Sequence, residues 1–207
     1  MTLYHTALKK GSLTYLDVPE TNYVEHPLGL MIKSDIINEG LPQQMLDCDV
    51  IYAEPPWPHG FKIFNERAGI KHNDYNDLSD AIKEAIVFCS SKEASTPFYL
   101  LLGKTMLSKL PDPNELHETI LNGNDAFMAV WNDSYEGNLS STYEICHTLG
   151  GRYKKFGDFT CGYGACVKAF LEGGGESFIA SDYDGKCITV MSANLKKLKA
   201  KSQKFKS

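Results

Sequence analysis

Gly157-Asp158-Phe159-Thr160-Cys161-Gly162-Tyr163-Gly164 lies between a stretch read as a strand, Tyr153 to Asp158, and a helix-forming one, Ala165 to Leu171. The three pieces read as a strand, a glycine-punctuated turn and a helix. Glycines let backbone approach a ligand closely, and the start of the following helix favours polar or anionic groups. Asp182 follows Gly162 by about twenty residues, at the end of the next apolar run, Ser177 to Asp182. In a strand–turn–helix–strand unit, an acid at that distance meets the hydroxyls of a ribose.

Working outward, the same alternation fills the chain. Leu28 to Lys33, Asp49 to Ala53, Phe98 to Gly103 and Phe127 to Asn132 are short apolar runs of strand length, and Thr142 to Thr148 reads as a further strand. Leu78 to Ser90 spaces Ile82, Ala85, Ile86 and Cys89 three and four apart, which predicts an amphipathic helix opening at Ser79-Asp80. Lys104 to Leu121 is helical in tendency, interrupted by Pro111 and Pro113, and Gly185 to Lys199 predicts a last helix. Leu13 to Val18 is an optional edge strand. Strands alternating with helices predict an α/β fold, a mainly parallel sheet with helices on both faces and ligands bound at the carboxyl ends of its strands.

Composition narrows the class. The chain has 207 residues, of which 43% are hydrophobic and 23% charged, the values of a globular domain. No apolar run approaches the roughly 20 residues of a membrane span, and Met1 to Lys10 lacks a secretion signal, so the expectation is a soluble, cytoplasmic protein with no membrane partner. Six scattered cysteines show no paired spacing for zinc or disulfides, and His59 and His72 have no metal-ligand spacing, so no metal is expected. The net charge is -5, yet six lysines and no acid follow Asn194. That basic tail is either a solvated helix end or a phosphate contact.

A second loop carries chemistry. Glu54-Pro55-Pro56-Trp57 directly follows the run Asp49 to Ala53. Two prolines fix their φ angles and lack N–H groups, so their carbonyls point to fixed positions beside one acid and one large aromatic. The loop is either an ordinary rigid turn or a site that accepts hydrogen bonds from an amino group while the indole stacks on its ring. Pro58 to Asp77 then interleaves Lys62, Arg67, Lys71 and His72 with Phe61, Phe64 and Tyr75. This reads either as a polar surface lid or as a contact for an unstacked base and its phosphates.

Together these residues resemble the S-adenosylmethionine-dependent amino-methyltransferases that act on exocyclic nitrogens of adenine or cytosine, over Leu28 to about Leu195. Glu54 to Trp57 is similar to the family's Asp-Pro-Pro-Trp/Tyr, and Asp158 to Gly164 to its Asp-Pro-Phe-x-Gly-x-Gly. Ser34-Asp35 looks like the pair ahead of the catalytic strand, and Tyr143-Glu144 like a later strand. The catalytic corner precedes the cofactor turn, as in the family's permuted classes, β-class-like or mRNA-adenosine-methyltransferase-like. The resemblance implies a circularly permuted, Rossmann-like sheet of seven strands in the order 3-2-1-4-5-7-6, with strand 7 antiparallel. Residues 1–27 would be an N-terminal extension, 28–195 the domain and 196–207 the basic tail.

The resemblance implies S-adenosylmethionine as cofactor, held by Asp35, Asp158, Phe159, Thr160, Cys161, Gly162, Gly164 and Asp182. It implies Glu54, Pro55, Pro56 and Trp57 as the catalytic residues for N6 methylation of adenine in nucleic acid, DNA rather than RNA, with Lys62, Arg67, Lys71 and His72 contacting that partner. Departures are visible. Glu54 stands where the family has Asp, Asn or Ser, a direct link over Leu149 to Tyr153 leaves no helix to enclose the methionine end, and no recognition domain is inserted between residues 58 and 157. Target recognition would then come from the loops Pro58 to Asp77 and Asp133 to Ser141, from a partner subunit, or from a second copy in a homodimer. Two alternatives fit the same residues: a silent, nucleic-acid-binding scaffold of this shape, or the same chemistry on cytosine N4, RNA or a free nucleotide.

Overall fold

The computed structural model describes residues 14–68, 74–91, 95–121 and 123–202. Its strands are β1 (Tyr23–His26), β2 (Gly29–Lys33), β3 (Val50–Ala53), β4 (Phe98–Leu102), β5 (Glu115–Leu121), β6 (Asn124–Trp131), β7 (Lys155–Asp158) and β8 (Ser177–Asp182). They form one eight-stranded sheet in the order β1-β2-β8-β7-β3-β4-β6-β5. The five strands β2, β8, β7, β3 and β4 run parallel. Antiparallel partners close both sides, β1 on β2 and the β5–β6 hairpin on β4.

The helices are α1 (Ile36–Glu39), α2 (Pro58–Ala68), α3 (Tyr75–Ser90), α4 (Lys104–Leu107), α5 (Thr142–Arg152), α6 (Ala165–Glu172) and α7 (Gly185–Ser202). Central strands are apolar on both faces because both are covered: every residue of Phe98–Leu102 and Val50–Ala53 is buried. Val50, Tyr52, Tyr99 and Leu101 pack with α5, α6 and α7 through Ile145, Phe170 and Met191. Ile51, Ala53, Phe98 and Leu100 point the other way, onto Ile36 of α1 and Ile82 and Ile86 of α3. The two-residue alternation of the pleat sorts one sequence into two cores.

The structure corrects several expectations. The sheet has eight strands, not seven, and its antiparallel strand beside β4 is Asn124–Trp131 rather than Thr142–Thr148. The helix expected over Lys104 to Leu121 is one turn long. Pro111 and Pro113 stop it, and Glu115–Leu121 alternates half-buried and exposed residues as a strand does. Two residues separate Leu121 from its partner Asn124, and Gly123 takes φ +78° in that turn.

Thr142–Arg152 is helical because Ser141 caps it, its side chain accepting from the Glu144 N–H at 3.2 Å, and because Ile145, Cys146 and Leu149 form one buried stripe. The helix thought to be missing ahead of β7 is therefore present. It packs closely on α6: a side-chain carbon at Gly150 would lie 2.0 Å from the Phe170 carbonyl oxygen.

Three smaller differences have the same kind of cause. Helix α3 opens at Tyr75, because Asp74 accepts from Asn76 N–H and Asp77 returns a bond to Asp74 N–H, the reciprocal pattern of a capping box. Pro58–Ala68 is helix α2 rather than loop, with Pro58 at its first position, where a missing N–H costs nothing. Of Leu13 to Val18, Tyr15–Asp17 forms a single 3-10 turn, and the extra edge strand is Tyr23–His26. Within the basic tail, α7 runs on to Ser202, and residues 203–207 lie outside the described ones. Among the described residues no helix is long and apolar enough to cross a membrane.

Candidate active site

Five parallel strands end on one side of the sheet, and each hands its chain to a residue of the site. β2 runs into Ser34 and Asp35, β8 ends at Asp182, β7 at Asp158, β3 runs into Glu54 and β4 into Gly103. A cavity of about 550 Å³ opens along these ends. It is lined by Glu54, Pro55, Pro56 and Trp57 on one side and by Phe159, Thr160, Gly162 and Asp182 on the other, with Asp35 beside them. The two loops, about a hundred residues apart in sequence, are joined directly: Glu54 N–H donates to the Thr160 hydroxyl at 2.8 Å.

The diproline corner is rigid and anchored. Trp57 packs against the larger core cluster, its ring 3.8 Å from where a side-chain carbon would stand on Gly103, and its carbonyl accepts from Phe61 N–H as α2 begins. The Glu54 carboxylate takes a hydrogen bond from the Thr142 hydroxyl at 3.1 Å, at the first residue of α5. The surrounding protein pushes its pKa up, and the Thr142 bond opposes that in part.

The glycine turn is built around carboxylates. Asp158 is 1% exposed. Its Oδ1 accepts from Thr160 N–H at 3.0 Å, while its Oδ2 has no partner. Burial, with Asp182 and Glu54 nearby, raises its pKa to about 8. Asp182 Oδ2 accepts from Gly162 N–H at 2.9 Å and Oδ1 from Asp184 N–H at 3.0 Å, and burial still raises its pKa to about 6. Among the described residues no lysine or arginine forms an ion pair with Glu54, Asp158 or Asp182. Glu54, exposed, and Asp182, buried, line the cavity, and Asp158 is buried next to the lining residues Phe159 and Thr160, so three carboxyl groups cluster, without a counter-cation, at this end of the sheet.

Not every expected residue faces the cavity. Cys161 is buried in the core behind the turn, its N–H bonded to the Ser181 carbonyl. Gly164 takes φ +82°, and a side-chain carbon there would meet Met191 Cγ at 2.6 Å, so it serves the seating of α6 on α7. Asp35 does line the cavity, but its carboxylate is engaged as the cap of α1, accepting from Ile37 N–H and Asn38 Nδ2. Lys62 is exposed on α2 and does not line the cavity, and Arg67 lies in the last turn of α2. Lys71 and His72 lie outside the described residues.

Two solved structures share this fold. They are those of M1.HpyAVI and of the M1.HpyAVI–SAM complex. The first is 12% identical, covers 80% of this chain and 97% of its own, and superposes with a TM-score of 0.50. The second is 11% identical, covers 81% of this chain and 99% of its own, with a TM-score of 0.51. This chain and those two structures thus share one fold. The sequence matches no protein-family model, and no curated protein matches it at a significant level.

Several wall residues carry no motif. Tyr15 reaches the cavity from the N-terminal turn, whose backbone is held by Lys186 Nζ at the start of α7. Ile36 and Ile37 enter from α1, Phe61 and Asn65 from α2, Leu121 and Asn124 from the β5–β6 hairpin. Only the Asn122-Gly123 turn signal and the helical spacing of Phe61 and Asn65 were there to find in sequence.

Proposed function

We propose that this chain transfers a methyl group from S-adenosylmethionine to the exocyclic N6 amine of adenine in nucleic acid, DNA in preference to RNA. The observation that carries the reading is the joining of the Glu54–Trp57 corner to the Asp158–Gly164 turn through the Glu54–Thr160 hydrogen bond, on one cavity lined by Glu54 and Asp182 with the buried Asp158 carboxyl beside it. In this reading the corner is a variant of the family's catalytic motif, set ahead of the cofactor turn by circular permutation. The fold shared with the M1.HpyAVI–SAM complex supports the choice of cofactor.

The residues fit a ligand bearing an ammonium and a sulfonium. Asp158, with an orphaned carboxylate oxygen at the end of β7, would hold the amino group, and Asp182 would lie against the ribose while Gly162 leaves the backbone bare beside it. Bound there, the sulfonium supplies an already activated methyl group, so the protein's task is positioning and electrostatics.

An adenine amine is a poor nucleophile because its lone pair is delocalised into the ring. Glu54 and the Pro55 carbonyl accept its two hydrogens, which draws the nitrogen toward a tetrahedral geometry and frees the lone pair. The nitrogen forms its bond to the methyl carbon as the carbon–sulfur bond breaks, and the amine's extra proton leaves by way of Glu54. Trp57 stacks on the extruded base. The test is transfer of a tritiated methyl group to duplex DNA, single-stranded DNA, RNA and free nucleotides, with the product base identified after hydrolysis. N6-methyladenine in DNA is the expected product. Incorporation into none of them removes the reading, and label in cytosine, RNA or nucleotides replaces its substrate.

A further inference from the structure

Among the polar side chains of the cavity wall that the reaction above leaves unused, Asn65 is buried with an unpartnered atom. Asn65, in α2, is 8% exposed and lines the cavity, and its Oδ1 makes no hydrogen bond. A buried, unpartnered amide acceptor is destabilising, and a ligand donor placed against it recovers the loss. A helical asparagine facing solvent would carry no such penalty.

Its neighbourhood specifies the donor. Asn65 stands one helical turn beyond Phe61, and Phe61, Ile36 and Leu78 belong to one apolar cluster with Ile37 packed against it. An apolar slot with a single amide on its wall suits a flat heteroaromatic ring with one amino edge. An asparagine pairs with the amino and ring-nitrogen edge of adenine in this way. Two adenines are in play, the target base and that of the cofactor. Asn65 lies eight residues along the helix from Trp57, about 12 Å of rise, too far to share the base stacked on that indole. Ile36 and Ile37 follow Ser34-Asp35 at the end of β2, three strands from β3 and its corner, past β7 and β8 and on the side of Asp182.

We propose that Asn65 recognises the 6-amino edge of the cofactor's adenine ring, held between Phe61, Leu78 and the α1 isoleucines. The proposal rests on S-adenosylmethionine being the cofactor. It makes α2, entered directly from the catalytic corner, a wall of the cofactor site.

The experiment is calorimetry on the full chain with two probes: S-adenosylhomocysteine, and the analogue whose adenine 6-amino group is replaced by hydrogen. Wild type is expected to bind the amino compound about tenfold more tightly. Asn65→Leu should bind the two alike, and Asn65→Asp, which keeps an acceptor in place, should retain the preference. The ligand-free Asn65→Leu protein should melt at or above the wild-type temperature, because the orphaned oxygen is gone. If that variant does not fold, Asn65→Ala is read by the same comparison. A preference that persists in Asn65→Leu or Asn65→Ala overturns the proposal, as does an equal loss for both probes, which marks a merely structural amide. Wild type binding neither probe removes the cofactor reading itself, and this inference with it. Binding by wild type without the loss of preference in the variants removes this inference alone.

Discussion

Glu54 N–H and the Thr160 hydroxyl meet at 2.8 Å, and across that bond the end of β3 is fixed to the turn after β7. β3 and β7 are paired neighbours in the sheet, so their carboxyl ends stand about 5 Å apart, and one side chain suffices to bridge them. Thr160 does more than bridge. Its own N–H donates to Asp158, so a single residue sets the Glu54–Trp57 corner relative to the buried Asp158 carboxyl.

Thr160→Val keeps the shape and removes the acceptor. Glu54 N–H loses its partner, at a cost of about 1 kcal/mol in stability. The larger effect is expected in kcat, about tenfold or more, because the corner is no longer held at its proper distance. Cofactor affinity should change less than threefold. Steady-state methyl transfer beside calorimetry separates the two, and a fall in affinity matching the fall in kcat contradicts this role.

Glu54→Ala and Trp57→Ala remove the hydrogen acceptor and the stacking face. Both should abolish transfer, by a factor on the order of a thousand, with cofactor binding nearly intact. The Thr142→Val variant is intermediate, since it only frees the Glu54 carboxylate from its anchor on α5. Full activity in either alanine variant removes the mechanism.

The fold was legible wherever burial is two-sided. Phe98–Leu102, all five residues buried, reads as a central strand from its composition alone. Glu115–Leu121 was not, because an edge strand mixes polar and apolar residues as a surface helix does, and only the Asn122-Gly123 pair marked the hairpin. Thr142–Arg152 was misread for a related reason: Ile145 and Cys146 sit in a segment too short to show its period, and the decisive signal was Ser141 three residues before Glu144. In the site, Glu54–Trp57 and Asp158–Gly162 were visible because each is continuous in sequence. Thr142, Asn65 and Tyr15 were not, since their place on the cavity is set by how helices and termini pack across the sheet.

Proton linkage tests the buried carboxylates. Burial raises the Asp158 pKa to about 8 and that of Asp182 to about 6, while the same groups in the unfolded chain titrate near 4. Between those values the folded chain holds protons that the unfolded chain has released, so stability of the ligand-free protein falls as pH rises from about 4 to about 8. A bound cation favours the carboxylate form and expels the proton. At pH 7, calorimetry in buffers of different ionisation enthalpy should therefore show about one proton released per cofactor bound, and affinity should rise with pH up to about 8. Asp158→Asn should lose both the release and at least tenfold in affinity. Binding without proton release by wild type would mean that Asp158 does not meet the ammonium.

Gly162 and Gly164 stand two residues apart and both have positive φ, +48° and +82°, yet they are expected to fail differently. A side-chain carbon on Gly164 would meet Met191 Cγ at 2.6 Å, inside the α6–α7 packing, so Gly164→Ala adds overpacking of about 1–3 kcal/mol to the left-handed strain of about 1–2 kcal/mol. A carbon on Gly162 would meet nothing within 4 Å, because that residue borders the cavity, so Gly162→Ala carries the backbone strain alone. The order reverses for ligand binding. The methyl of Gly162→Ala intrudes where a cofactor lies against bare backbone and should weaken binding about tenfold or more, whereas Gly164→Ala, once folded at low temperature, should bind nearly as wild type. Chemical denaturation beside cofactor calorimetry on the two variants reads both orders, and a Gly162→Ala protein that binds as tightly as wild type would place the ligand away from this turn.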